Sequence, residues 1–261
     1  RQGKLMRKNE DHGRSWSKLV VLWDDGDNVC GNPAPVVDQE TGTILLLSTW
    51  NLGADHEEQI IDGKSKDIRR VFVMQSEDDG LNWSDPREIT SSVKEDQWTW
   101  YATGPCHGIQ LQQGTYKGRL LIPCDHIQAG SKAYYSHSIY SDDHGQNWKL
   151  GGTTPQDQVN ECCMAELSDG RVILNMRNYD RNQKNRKISF SEDGGLTWSD
   201  LHSDPKLIEP ICQASILTVP GEEKGTRILF FLNPAHKSKR QNMTLRISRD
   251  EGLSWTGAIE L

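Results

Sequence analysis

Glu161, Arg177 and Arg240 stand in three short contexts that could do chemistry: Asn160-Glu-Cys-Cys-Met164, Asn175-Met-Arg177 and Lys239-Arg-Gln-Asn-Met243. A carboxylate can take a proton from a reacting group. A planar, permanently charged guanidinium can grip a ligand carboxylate at two points, which lysine does less well. On residue type alone, a strand-end arginine is a solvated surface charge and a loop glutamate is a solvated carboxylate. Arg186, Arg246 and Glu166 are read in that plain way. Asn32 in Gly31-Asn-Pro-Ala-Pro35 reads as a turn former before proline, and His107 in Pro105-Cys-His-Gly108 as a turn residue. Trp98, Trp100 and Tyr101 form an aromatic group suited either to a pocket wall or to packing.

The elements that must position these residues are announced by a repeat. The phrase Ser-x-Asp-x-Gly-x-Ser/Thr/Asn-Trp, or a close variant, recurs at Asn9–Trp16, Ser76–Trp83, Ser141–Trp148, Ser191–Trp198 and Ser248–Trp255. One supersecondary unit is copied along the chain. Each copy reads as a hairpin turn. The aspartate (Asp11, Asp78, Asp143, Asp193 or Asp250) accepts bonds from turn amides, glycine supplies positive φ, and tryptophan packs the turn onto its strands. These aspartates are turn residues, neither metal ligands nor catalysts. β-rich runs flank the turns, such as Val71-Phe-Val-Met74 and Arg186-Lys-Ile-Ser-Phe190, and no stretch shows a sustained helical period. Roughly four short strands per repeat predict an all-β propeller with one Asp-Gly-Trp turn per blade.

The length of 261 residues suits one large all-β domain, 1–261, with no Pro- or Ser-rich linker dividing it. No apolar run reaches the ~20 residues of a membrane span, and the first residues contain no signal-peptide core. The sequence lacks an initiator Met and stops soon after its fifth turn, so it reads as an internal piece of a longer propeller, truncated at both ends. A formal net charge of −7 argues against nucleic acid as a partner. It also means that an anionic ligand must be held by local cations. The six cysteines include no C-x-x-C pair, which argues against zinc, and their irregular spacing suits buried thiols. Two glycosylation sequons, at Asn82 and Asn242, fall in a repeat turn and a strand and read as coincidence.

The repeats resemble the Asp boxes of sialidases, which other propellers also carry. The segments between them are more specific. Gly31–Asp38, Trp100–Gln110, Asn160–Leu167, Leu174–Asn178 and Lys239–Arg246 resemble, in order, the exo-sialidases of glycoside hydrolase family 33. The resemblance covers essentially the whole chain. It implies a six-bladed propeller, of which this chain would supply about four to five blades. It implies a retaining exo-α-sialidase acting on terminal sialic acid of glycoproteins, gangliosides or oligosaccharides, with no cofactor and no metal. By the same resemblance Glu161 is the base that activates a Tyr nucleophile, an exception among glycoside hydrolases. Arg177 and Arg240 are two of the three arginines that hold the substrate carboxylate. Asn32 contacts ring substituents, Asp125 stands on the pocket rim where relatives place aromatics, and Tyr101 lines the N-acetyl pocket. The compartment is left open: a lysosomal, secreted or membrane-associated setting is favoured over a nuclear one, and a cytoplasmic one is also compatible.

The departures are equally clear. The family's first arginine lies in an Arg-Ile-Pro motif that is absent here. Its acid/base Asp precedes the first box, and its nucleophile follows the fifth in a Tyr-Ser motif. None of Tyr101, Tyr134, Tyr135, Tyr140 or Tyr179 holds that place, so the isolated stretch is expected to be inactive. The alternative readings are a non-catalytic, lectin-like sialic-acid-binding propeller and an Asp-box receptor that binds peptides. Glu161 speaks against the first and the two arginine contexts against the second.

Overall fold

The computed structural model describes residues 3–261. Strands β1 (Lys4–Met6) and β2 (Val20–Trp23) form a two-stranded sheet, and four larger antiparallel sheets follow in chain order. The first holds β3 (Val29–Val37), β4 (Ile44–Asn51), β5 (Arg70–Ser76) and β6 (Arg87–Glu88). The second holds β7 (Trp98–Thr103), the short β8 (Ile109–Gln110), β9 (Leu120–Gln128), β10 (Tyr134–Ser141) and β11 (Lys149–Thr153). The third holds β12 (Val159–Glu166), β13 (Val172–Asn178), β14 (Asn185–Ser191) and β15 (His202–Ile208). The last holds β16 (Ser215–Pro220), β17 (Arg227–Pro234), β18 (Met243–Ser248) and β19 (Thr256–Glu260). Each is a meander in which neighbours in sequence are neighbours in the sheet, except that β7 and β8 both pair with β9 and together take one strand's place. This is the propeller-blade arrangement that the repeat predicts. The described residues thus form four blades and a two-stranded sheet.

Blades pack on one another through three apolar layers. Leu45, Leu47, Leu120, Ile122 and Trp148 join the first and second blades. Leu121, Met164, Val172 and Leu174 join the second and third, and Ile173, Ile216, Leu229 and Phe231 the third and fourth. First strands touch one another across the centre, as β12 does with β16 and β3 with β7. Central strands covered on both faces read as unbroken buried runs. β9 is the clearest case, with every residue but Gln128 buried. Two helices interrupt the blades, α1 (Glu57–Ile61) and α2 (Thr90–Val93). At five and four residues they are too short to show a helical period.

The repeats form the turn between third and fourth strands. In the second blade Ser141 Oγ donates to Asp143 Oδ1 at 2.8 Å and accepts from Gly145 N at 2.9 Å, while Asn147 N donates to Asp143 Oδ1 at 2.8 Å. Ser76, Ser191 and Ser248 repeat the arrangement. Trp83 bonds within its own turn, its Nε1 donating to Gly80 O at 3.3 Å. Trp198, Trp255, Gly145 and Gly195 depart from the expected packing within one blade, because their turns sit against the preceding one. A Cβ on Gly145 would lie 2.6 Å from Leu45 Cδ1, and one on Gly195 would lie 2.6 Å from Leu121 Cδ2. Trp198 Nε1 donates to Gly152 O of the second blade at 2.9 Å, and Trp255 Nε1 to Asp204 Oδ2 of the third at 2.7 Å. Trp16, by contrast, is 59% exposed.

Candidate active site

Three first strands carry a bulge at the same end of the molecule, the end opposite the repeat turns. Register slips between Gly31 and Ala34 in β3, between Trp98 and Tyr101 in β7, and between Val159 and Cys162 in β12. A bulge leaves extra residues outside the ladder and re-aims their side chains. The residues so released are Asn32, Trp100 and Glu161. Asn32 adopts φ 51°, a left-handed conformation that asparagine tolerates.

Glu161 receives Arg177 from the adjacent strand: Arg177 Nη1 donates to Glu161 Oε2 at 2.5 Å. The two side chains are 16% and 22% exposed, enough to reach a ligand and too little for water to screen the pair fully. Burial opposes charge on Arg177, but the Glu161 carboxylate and the Tyr179 ring raise its pKa above the usual value. Tyr179 lies with its ring centroid 5.1 Å from the guanidinium carbon. It stacks on Tyr134 at 4.9 Å and accepts from Asn160 Nδ2 at 3.3 Å. Burial pushes the Tyr179 phenol above its usual range, against the pull of Arg177, so nothing here poises it as a nucleophile.

Neighbouring blades clamp this pair from both sides. Ser136 Oγ on β10 donates to Asn160 O at 2.6 Å, and Cys162 Sγ lies 3.3 Å from Cys124 O on β9. Gln213, in the segment entering the fourth blade, donates to both Pro105 O and Cys162 O at 3.0 Å. Arg186 is completely buried and donates to Cys212 O at 2.6 Å and Asn175 Oδ1 at 2.6 Å. Arg246 donates to Asn233 Oδ1 at 3.1 Å. Neither arginine hydrogen-bonds to the Glu161–Arg177 pair; Arg186 is held in the interior, not in solvent, while Arg246 is half-buried.

The other candidates divide. Asp125 is 1% exposed, so it lies beneath the site and not on a rim. Burial, with the Glu161 carboxylate beside it, holds its pKa far above the usual carboxylate range, against the pull of Arg69 and Arg177. Asn32 is bound inward: its Oδ1 accepts from Arg69 Nη2 and, at 2.9 Å, from Thr49 Oγ1. Tyr101 is a correction. Its ring is fully buried, edge-on to His137 at 5.0 Å within the apolar layer of the first two blades, so it lines no pocket. The bulge in β7 leaves Trp100 facing the site end and turns Tyr101 inward. Arg240 lies in the loop between β17 and β18 at this same end. Its one hydrogen bond among the described residues runs to Ile211 O at 3.5 Å, and it touches neither Glu161 nor Arg177. Arg181 ties that loop to the third blade by donating to Lys237 O at 3.0 Å.

Two features escaped the sequence reading. Arg69 is a buried arginine bonded to Tyr101 O at 2.5 Å, Asn51 Oδ1 at 2.8 Å and Thr49 Oγ1 at 2.9 Å, with Trp100 stacked 3.8 Å over its guanidinium carbon. Burial lowers its pKa to about 10. Its Ile68-Arg69-Arg70 setting carries no motif, and only the shared position of asparagines on neighbouring strands could have signalled it. Glu166, read as solvated, is 3% exposed. It accepts from Gln112 N, Gln113 N and Arg227 at 2.9–3.0 Å, at the opposite end of the axis. A cavity of about 390 Å³ opens there, remote from Glu161. No cluster of His, Cys, Asp or Glu among the described residues has metal-binding geometry.

Comparison with known proteins bears on the family and the fold. The profile of the BNR repeat-like domain matches residues 4–261. A sialidase of Bacteroides fragilis is 29% identical over 98% of this chain and 48% of its own length. A sialidase of Micromonospora viridifaciens is 33% identical over 96% of this chain and 40% of its own. Among solved structures, the Hadza microbial sialidase Hz136 superposes with a TM-score of 0.86 at 28% identity, covering 98% of this chain and 51% of that one. The chain therefore spans about half the length, or less, of these three relatives.

Proposed function

The chain belongs to the BNR repeat-like domain family and is a sialidase-type propeller, and from that premise we propose that it supplies the base and the carboxylate-binding arginines of a retaining exo-α-sialidase. The whole protein would be a six-bladed propeller that removes terminal sialic acid from sialylated glycans. The observation that carries this reading is the 2.5 Å contact between Arg177 and Glu161, held at a strand bulge beside the propeller axis. Arg177 keeps guanidinium donors beyond the one given to Glu161, so it can grip an anionic sugar while orienting the carboxylate.

In the proposed reaction Glu161 takes the phenolic proton of a tyrosine nucleophile as the phenol oxygen attacks the anomeric carbon, the glycosidic bond breaks and an acid/base carboxyl of the whole protein protonates the leaving oxygen. Water, deprotonated by that same carboxylate, then cleaves the tyrosyl–sugar bond, and the phenol recovers its proton from Glu161. A phenol with a pKa near 10 needs such a base at neutral pH. A neutral nucleophile also avoids the repulsion that a carboxylate would meet from the sugar's own carboxylate. Arg240, on the neighbouring loop, would complete the grip by swinging from the Ile211 carbonyl to the ligand. The chemistry uses side chains alone. Sialoside hydrolysis by the whole protein, followed by NMR of the first-released anomer, tests the reading. Release of sialic acid with retained configuration supports it. Saturable binding of sialic acid without any turnover would move the assignment to a lectin-like propeller.

A further inference from the structure

We propose that Asp125 is a positioning residue for the Glu161–Arg177 pair, a carboxyl that keeps its proton so that Arg177 has a single anionic partner within the protein. The inference rests on the reading of Arg177 as the anion-binding group. Both Asp125 oxygens are buried and hydrogen-bond to nothing among the described residues. An ionised carboxylate so placed would carry a desolvation penalty that the pull of Arg69 and Arg177, neither of them hydrogen-bonded to it, does not offset. On β7 it meets Tyr101 and its ladder partner Ala102, on β10 Ser136 and the neutral His137, and on its own strand Cys124 and His126. Burial takes His126 down to about 3, so neither histidine offers a cation. Glu161 and Cys162 face it from β12, Arg177 from β13, Arg69 from the segment before β5, and Glu57 from the exposed side of α1. The two cations are committed elsewhere, Arg69 to Asn32, Asn51, Thr49 and the Tyr101 carbonyl, and Arg177 to Glu161.

The consequence is a local charge count. With Asp125 protonated, the buried group of Arg69, Arg177 and Glu161 carries one net positive charge, which suits an incoming carboxylate. Loss of that proton would cancel it and set two carboxylates competing for one guanidinium. Arg177 Nε is itself buried and unpaired, so a second carboxylate would have a donor to capture.

The folded state therefore binds a proton that the unfolded chain releases above a pKa of about 3.9. Stability falls as pH rises from there toward the folded pKa, by up to about tenfold in the unfolding equilibrium per pH unit. Asp125→Asn cannot titrate and should escape this slope, so its melting temperature should gain on wild type as pH rises from about 4 toward the folded-state pKa of Asp125. Infrared spectra of 13C-aspartate-labelled protein at neutral pH should show an un-ionised carboxyl band that disappears in the variant. Asp125→Ser serves the same purpose if the amide is not accommodated. A stability gap that does not change with pH, or a band unaffected by either variant, would overturn the proposal. Neither readout needs turnover, so both remain decisive if the enzyme reading fails. In an active protein, the alkaline limb of kcat/KM should move or vanish in the variants. A purely structural Asp125 would instead lower activity equally at every pH, and that result would refute the positioning role.

Discussion

Asp125 and Arg177 occupy the same register position in adjacent blades. Leu120 pairs with Ser141 and Val172 with Ser191, and residues 125 and 177 each lie five positions further along the second strand. In the first blade Ile44 pairs with Ser76, and the same step reaches Thr49, which bonds both Asn32 and Arg69. Three consecutive blades thus present Thr49, Asp125 and Arg177 at one level. The repeat sets the level, and the residue identity sets the chemistry.

Glu161→Gln isolates the proton-accepting role. The amide keeps the shape and one acceptor for Arg177, so binding of a sialic acid glycal should stay within a few-fold of wild type. Turnover should fall by roughly 10²–10⁴-fold, the scale of general base catalysis. Steady-state kinetics beside calorimetric binding checks the split. Equal losses in both would make Glu161 a binding residue.

Much of this was legible in advance because the Asp-box turn is stabilised within eight residues, so Ser141, Asp143, Gly145 and Asn147 carry their own instructions. Glu161 and Arg177 were legible through their motifs, and the structure joins them. What escaped depends on contacts between blades. Tyr101 looked like a pocket aromatic because sequence does not show that a bulge swaps which face it takes. Asp125 looked like a rim residue because nothing local announces burial of a carboxylate without a partner. Trp16 repeats the motif of Trp148, yet one is exposed and the other is 2% exposed, since burial depends on the neighbouring sheet.

That dependence gives the second prediction. Gly145→Ala places a methyl group against Leu45 at a residue with φ 81°. Strain and overpacking together should destabilise the fold by about 2–4 kcal/mol. Denaturant unfolding measures the loss, and ligand affinity of the folded fraction should not change. A wild-type midpoint would show that the turn does not wedge the blades.

A third prediction concerns the buried histidines. His126 Nδ1 and His137 Nδ1 are 3.0 Å apart, so one donates and the other accepts, and Trp98 stacks on His126 at 3.6 Å. Burial keeps both neutral, His126 down to about 3, while the unfolded chain titrates near 6.5. The unfolded state then binds more protons, and stability falls as pH drops below about 6.5, by up to about 1.4 kcal/mol per unit for each histidine. Replacing both by glutamine should remove this acid-side loss, so that the variant gains stability relative to wild type as pH falls from about 6.5 to 4. An unchanged slope would mean that the pair is not what titrates.

The central claim is that Arg177 grips a carboxylate beside Glu161. Calorimetric titration of a sialic acid glycal into the whole protein, its Arg177→Lys variant and its Arg240→Lys variant tests it most directly. Lysine keeps the charge and loses the two-point fork. The account predicts saturable binding in wild type and a loss of about 2–5 kcal/mol with Arg177→Lys, the scale for breaking a buried charge contact. Arg240→Lys should show a smaller loss, as suits a residue that must leave the Ile211 carbonyl to reach the ligand. Wild-type affinity in Arg177→Lys would contradict the account.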